Sequence, residues 1–192
     1  MTSFTIFGTG TMATAIDGIL QAGGSSVDHI AHDEVGTKAV TGEVVILAVP
    51  YPAVDPILTA HGDQLVGKTV VDITNPLDFQ TFDSLVVPVG SSAAAEIQAK
   101  LPHSHVLKAF NTTFAATLTS GRVGNDPTTV LIAGDDEQAK ATLSAAVEAG
   151  GLAAVDAGSL RRAHELEALG FLQLTLAAGE KISWTGGFAV VR

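Results

Sequence analysis

The chain of 192 residues has no cysteine. Disulfides, thiolate metal sites and thiol nucleophiles are thereby excluded. Basic residues are scarce: Lys and Arg total 10 against 20 Asp and Glu, a formal net charge of −10. A phosphate backbone must be met by clustered Lys and Arg, so no nucleic-acid partner is expected, and no anionic membrane surface either. Long hydrophobic runs are also missing. No segment approaches the roughly 20 apolar residues of a membrane span. Phe4–Phe7 is too short, and lacks the basic flank, for a signal peptide. The expectation is a soluble, cytoplasmic protein without internal repeat, low-complexity tract or linker.

Apolar residues are abundant, at 46% of the chain with a mean hydropathy of +0.36. That is more apolar surface than one small monomer needs. The length suits one α/β domain with a small appendage. Strands are expected at Phe4–Phe7, Val27–Ala31, Val44–Val49, Thr69–Ile73, Val106–Phe110, Thr129–Ala133 and Leu152–Val155. Helices are expected at Thr11–Ala22, Ala53–Leu65, Ser92–Leu101, Glu137–Ala149 and Leu160–Ile182. Near-continuous apolar strands alternating with helices predict a doubly wound, mainly parallel sheet covered on both faces, a Rossmann-like α/β fold. Only His32–Glu43 separates the second and third strands. That length serves one crossover and no further βα unit. The sheet is therefore shortened after its second strand, which becomes the edge. Residues 1–156 form the dinucleotide-binding domain and 157–192 a C-terminal helical segment.

The stretch Ser3–Gly24 carries the most information. Phe4–Phe7 runs directly into Gly8-Thr9-Gly10-Thr11-Met12-Ala13, a dinucleotide fingerprint with Ala in the third glycine's place. Gly8 allows the sharp turn, Gly10 a close approach of pyrophosphate, and Ala13 close helix packing. The helix N-terminus offers free N–H groups and a positive dipole end to phosphates. The phosphates are expected over Gly8–Met12, between the first and third strands, where the winding direction switches.

Ala48-Val49-Pro50-Tyr51, Thr74-Asn75-Pro76 and Ala109-Phe110-Asn111 end three strands and face one crevice. Pro50 and Pro52 predict an extended ledge rather than a helix. The amides of Asn75 and Asn111 suit a carboxamide or a ribose hydroxyl, although Asn also caps turns. The acid that marks NAD use belongs at the tip of the second strand, and Ile30 and Ala31 are apolar. His32 can donate to a 2′-phosphate, more strongly when protonated, and Thr9 can reach it; Asp33 and Glu34 would repel it if they faced it. NADP(H) is favoured. His61, His103 and His105 read as solvated loop residues without paired carboxylates. No metal-ligand spacing is found, and Ser91, Ser92 and Ser159 read as helix caps.

Taken with the segments Val44–Pro50, Gly67–Leu77, Lys108–Ala115, Ala133–Asp136 and Asp156–Leu160, the chain resembles the NADPH-dependent reductases of the deazaflavin coenzyme F-420. That family includes dinucleotide-binding proteins of unassigned acceptor and resembles the reductase domain of membrane ferric reductases. The resemblance covers all but His32–Glu43. It implies that the ledge Ala48–Tyr51 contacts ribose and nicotinamide. NADPH-using members tend to carry a hydroxyl and a basic residue at positions 31 and 32, where this chain has Ala31 and His32.

Hydride transfer asks a protein mainly to align donor and acceptor and exclude water, and no acid/base constellation is found. One reading is an oxidoreductase passing hydride between NADP(H) and a small flat acceptor such as a deazaflavin or flavin, or else a quinone or ferric chelate. The other is a sensor or scaffold that binds the cofactor without turnover. Ala168–Ala178 is apolar on nearly all sides, so it is buried all round, either within one subunit or, as favoured, in a homodimer. The tail Trp184–Phe188 suits a lip over a flat ring or a dimer anchor.

Overall fold

The computed structural model describes residues 1–191. Its strands are β1 (Ser3–Phe7), β2 (Ser26–Ile30), β3 (Val44–Leu47), β4 (Thr69–Asp72), β5 (His105–Lys108), a two-stranded ribbon of β6 (Arg122–Val123) and β7 (Asp126–Pro127), β8 (Thr129–Gly134) and β9 (Ala153–Gly158). Its helices are α1 (Thr11–Ala22), α2 (Val54–Leu65), α3 (Ala93–Lys100), α4 (Ala115–Ser120), α5 (Glu137–Ala149) and α6 (Ala163–Ala178). Seven strands form one sheet in the order β2-β1-β3-β4-β5-β8-β9. All pairings are parallel except β5 with β8. As expected, β2 is the edge and β1 lies beside β3, the switch point. No helix among the described residues is long and apolar enough to cross a membrane.

Alternation along the strands divides the core. Phe4, Ile6, Val44, Ile46, Val71 and Leu107 pack with α1 and α5 on one face. Phe7, Val45, Leu47, Val70 and Val106 pack with α2 and α3 on the other. Strands buried on both faces need helices on both, and the parallel crossovers supply them.

Several sequence expectations are corrected. The helix expected over Leu160–Ile182 is a 3-10 turn, Leu160–Arg162, followed by α6, which ends at Ala178. Pro50 is extended, but Tyr51–Ala53 already forms a 3-10 turn into α2. Proline is tolerated in a first turn, where its missing N–H has no partner to lose. His61 is not solvated. It lies 1% exposed in α2, edge-on to Phe7, and its Nε2 accepts the Gly36 N–H at 2.8 Å; burial lowers its pKa. His105 is exposed as expected but faces the Asp136 carboxylate at 3.2 Å. Helix α4 and the β6–β7 ribbon were not expected. Ser92 caps α3 by accepting the Ala95 N–H, whereas Ser159 begins its turn without a side-chain bond.

A polar knot sits beneath the strand ends. Lys108 is fully buried, and its ammonium donates to Asp72 Oδ2 at 2.7 Å, Glu167 Oε1 at 2.8 Å and the Thr74 carbonyl at 2.5 Å. All three of its N–H bonds are thus used. Glu167, on α6, also accepts the N–H groups of Ala93 and Ala94 at the start of α3. Those amides and the helix dipole offset the second buried carboxylate. Burial still raises the Glu167 pKa against the pull of Lys108.

Lys108→Met removes the cation and strands two carboxylates. Breaking a buried ion pair this way costs roughly 3–5 kcal/mol. A protonated carboxyl carries no stranded charge, so the cost shrinks as pH falls toward the raised Glu167 value. Urea denaturation of parent and variant over that range measures it; a cost independent of pH contradicts the assignment.

Candidate functional site

The turn from β1 to α1 is held by sterics. Gly8 has φ +113°, and a Cβ there would lie 2.4 Å from the Ala48 carbonyl oxygen. Only glycine fits. Gly10 differs: it is the N-cap of α1 with φ −77°, and a Cβ built on it meets nothing within 4 Å. The space above Gly10 is open. No acceptor among the described residues takes the N–H of Thr9, Gly10, Thr11 or Met12. Ala13 is fully buried against the sheet. An open space over glycine, faced by unpaired N–H groups at a helix N-terminus, fits a pyrophosphate.

Two cavities flank this point. One, of about 510 Å³, is walled by Gly8–Gly10, the end of β2 and the Ala48-Val49-Pro50 ledge, with His32 and Val35 closing it. Its remaining walls are mainly apolar, including Phe7, Ile30 and Ile57. The other, of about 390 Å³, lies beyond Thr11 and Met12 and is walled by Asn75, Phe110, Asn111, Phe114 and Trp184. Neither wall carries an Asp or Glu, and His32 is the one titratable side chain on either. A larger open groove of about 880 Å³ also begins at Thr9–Thr11 and runs between α1, α4 and Gly150–Leu152, and it carries no ionisable group.

The residues singled out in sequence therefore divide. Gly8, Thr9, Gly10, His32, Ala48, Val49 and Pro50 meet at the first cavity, and Thr11, Met12, Asn75, Phe110 and Asn111 at the second. Ala31, Tyr51, Thr74, Pro76 and Ala109 line neither. The Ala31 N–H is taken by Glu34 Oε2 at 2.8 Å, which folds that carboxylate back over its own turn. Tyr51 packs into the α2 side of the core, where burial raises its pKa. Thr74 is bound into the Lys108 knot through its carbonyl.

The amides of Asn75 and Asn111 are locked together. Asn111 Nδ2 donates to Asn75 Oδ1 at 2.9 Å and to the Leu166 carbonyl at 2.8 Å, while Asn75 Nδ2 donates to the Asn111 carbonyl. Backbone carbonyls at both ends fix which amide atom is which. Asn111 Oδ1 is then an acceptor, buried and without a partner, as is Thr74 Oγ1. Phe110, just before, has φ +62°, a strained conformation of the kind that clusters at functional sites. Helix α6 sits directly on the pair because residue 170 is glycine: a Cβ there would lie 2.2 Å from Asn75 Oδ1.

Sequence reasoning did not place Phe114 or Leu174 at the site, while Trp184, read there as part of a lip or a dimer anchor, lines the second cavity. The Trp184 and Phe114 rings are 5.0 Å apart, and Gln173 Oε1 accepts the Phe188 N–H at 3.3 Å. No metal-binding cluster occurs among the described residues.

No family model matches the chain. Two curated proteins do resemble it. Metalloreductase STEAP3 of Rattus norvegicus is 35% identical over 133 residues, 69% of this chain and 26% of that protein. The F420-dependent NADP reductase of Methanocaldococcus jannaschii is 32% identical over 151 residues, 76% of this chain and 66% of that protein. The chain thus spans about a quarter of the first relative and about two thirds of the second. Among solved structures, a candidate F420-dependent NADP reductase from Arthrobacter sp. FB24 superposes with a TM-score of 0.84 at 25% identity, covering 100% of both chains. Imine reductases such as that of Streptomyces aurantiacus, at 15% identity and a TM-score of 0.63, share the fold alone. With the glycine turn, the paired strand ends and the C-terminal helix all in place, the chain belongs to the F420-dependent NADP reductase-like family of dinucleotide-binding oxidoreductases.

Proposed function

We propose that this protein binds NADP(H) across the N-terminus of α1 and passes hydride between it and a flat heterocyclic acceptor of the deazaflavin or flavin type. One observation carries the reading: two cavities flank a helix N-terminus whose N–H groups are unpaired. Thr9–Met12 would hold the pyrophosphate. The apolar cavity of about 510 Å³ suits adenosine, with His32 and Thr9 near the 2′-phosphate. The absence of carboxylates from that wall favours NADP(H) over NAD(H), as do the two relatives named as F420-dependent NADP reductases.

The nicotinamide, when bound, supplies a hydride with its electron pair. The protein's residues orient and exclude water. Asn111 Oδ1 is covered in this structure; once uncovered by a shift of the groups around it, it would accept an N–H from a carboxamide or from the acceptor's edge, which repays its desolvation. Phe114 and Trp184 would sandwich the acceptor ring against the nicotinamide. A quinone or ferric chelate offers no N–H to Asn111.

Helix α6 supports a homodimer. Its buried stripe is Ala163, Leu166, Glu167, Gly170, Gln173 and Ala177, while Leu172 is 50% exposed and Phe171, Leu174 and Leu176 are only part-buried. Burying a large apolar side chain is worth roughly 1.5–3 kcal/mol, and Leu172, Trp184 and Phe188 leave such side chains open on the helix and tail. A second copy would cover them.

A Cβ at residue 10 meets no protein atom within 4 Å, so Gly10→Val should keep the fold with a melting temperature lowered only by the poorer N-cap, while calorimetric titration shows dinucleotide affinity falling at least tenfold. Unchanged affinity refutes the site. The parent should bind NADPH more tightly than NADH, and His32→Ala should narrow that gap. A screen of deazaflavin, FMN, FAD, quinones and ferric chelates, followed by NADPH absorbance, should find turnover with an isoalloxazine-type ring. Trp184→Ala should raise KM for that acceptor several-fold and leave NADPH affinity in place; NADPH binding without turnover on any acceptor favours the sensor reading. In sedimentation equilibrium at micromolar concentration the parent should sediment as a dimer and Leu172→Asp as a monomer of 19.6 kDa; a monomeric parent refutes the interface.

A further inference from the structure

We infer that His29 is a positioning residue of the phosphate-binding turn: its ring sets the Gly8–Thr9 peptide so that the Thr9 N–H faces the dinucleotide phosphates. The inference rests on the dinucleotide reading above. His29 is on the edge strand β2, part-buried against α1. Its Nδ1 lies 2.8 Å from the Gly8 carbonyl oxygen and, facing a carbonyl, is the donor. Its Nε2 lies 3.3 Å from Asp17 Oδ2 on α1, and Asp17 is itself braced by Gln21 Nε2. The backbone carbonyl of His29 accepts from Lys38 Nζ, which also holds Asp28. The imidazole is thus fixed from strand and helix.

Gly8 needs such fixing. Glycine has the widest backbone freedom of any residue, and a ligand-binding N–H must be held in place before the ligand arrives. β2 grips Gly8 twice, because the Gly8 N–H donates to the Ile30 carbonyl at 2.9 Å and the Gly8 carbonyl accepts from His29. The peptide is trans, so its C=O and the following N–H point to opposite sides. With the Gly8 oxygen drawn toward His29, the Thr9 N–H is turned away from it. That N–H has no acceptor among the described residues, and Thr9 lines the 510 Å³ cavity. His29 itself lines neither cavity. It acts through the turn, and therefore on what every dinucleotide shares rather than on the 2′-phosphate.

The test compares the full-length parent with His29→Leu, His29→Thr and His29→Asn. Calorimetry gives Kd for NADPH and NADH, circular dichroism and melting give the fold, and the ¹H–¹⁵N resonance of Thr9 is followed in the cofactor-free protein. His29→Leu should weaken both cofactors by the same factor, roughly tenfold, and move the Thr9 resonance. His29→Asn, whose Nδ2 reaches the place of Nδ1, should restore most of the affinity and the resonance. Threonine is a good strand former too short to reach the Gly8 oxygen, so it replaces leucine in the test if the leucine variant does not fold. His32→Ala, by contrast, should weaken NADPH alone. Folded leucine or threonine variants that bind both cofactors as tightly as the parent overturn the inference, as does a loss confined to NADPH. A parent that binds neither cofactor overturns the dinucleotide reading and this inference with it.

Discussion

One buried ammonium organises the site. Lys108 reaches the Asp72 carboxylate, the Thr74 carbonyl and Glu167, and so joins the ends of β4 and β5 to α6. Through Glu167 it also fixes the start of α3. A buried ionic cluster of this kind is no more stabilising than a well-packed apolar one. What it supplies here is register. Sliding α6 by one residue would pull Glu167 from its three donors and leave charges unpaired in the core. It would also carry Gly170 off the Asn75–Asn111 pair and drive a side chain into the amide oxygens. The strand ends, the amide pair and the helix that covers them therefore have one mutual arrangement.

That arrangement explains why the second cavity exists. Apart from Leu166, α6 approaches on a stripe of small and polar residues; Leu174 lines the second cavity and Leu172 faces outward. Gln173 then holds Phe188, and Trp184 packs on Phe114, so the tail closes over the crevice beside α1. On the opposite side the ledge after β3 and the short turn after β2 close the first cavity around the glycine turn. The protein contributes shape, free N–H groups and one unpaired amide oxygen, with no carboxylate on either wall. Such walls suit chemistry in which a bound cofactor supplies the reactive atom and the protein aligns it.

Much of this was legible in the sequence because it is local. The glycine turn, the near-continuous apolar strands and the twelve-residue gap before β3 each depend on neighbours in the chain. The fold class, the edge strand and the switch point follow from them. The Lys108 knot was not legible, because its three ions come from β4, β5 and α6, and Glu167 beside Glu165 and Arg162 reads as a solvated face. Spacing did hold a signal that residue type concealed. Residues 163, 166, 167, 170, 173 and 177 form a helical stripe, as do 54, 57, 58, 61 and 65. Had periodicity been weighed above polarity, Glu167, Gln173 and His61 would have been placed inside. The turn at Tyr51–Ala53 has another cause: Pro52 sits in a first turn, and proline forbids only a helix interior.

The central claim is that a dinucleotide lies across the N-terminus of α1 with its nicotinamide toward the Asn75–Asn111 pair. A crystal structure of the NADP⁺ complex tests it most directly. The account predicts pyrophosphate oxygens on the N–H groups of Thr9–Met12, adenosine in the cavity closed by His32 and Val35, and the nicotinamide beside Asn111 with Trp184 nearby. Phosphates bound elsewhere, or a nicotinamide outside the cavity of Phe110, Phe114 and Trp184, would contradict it.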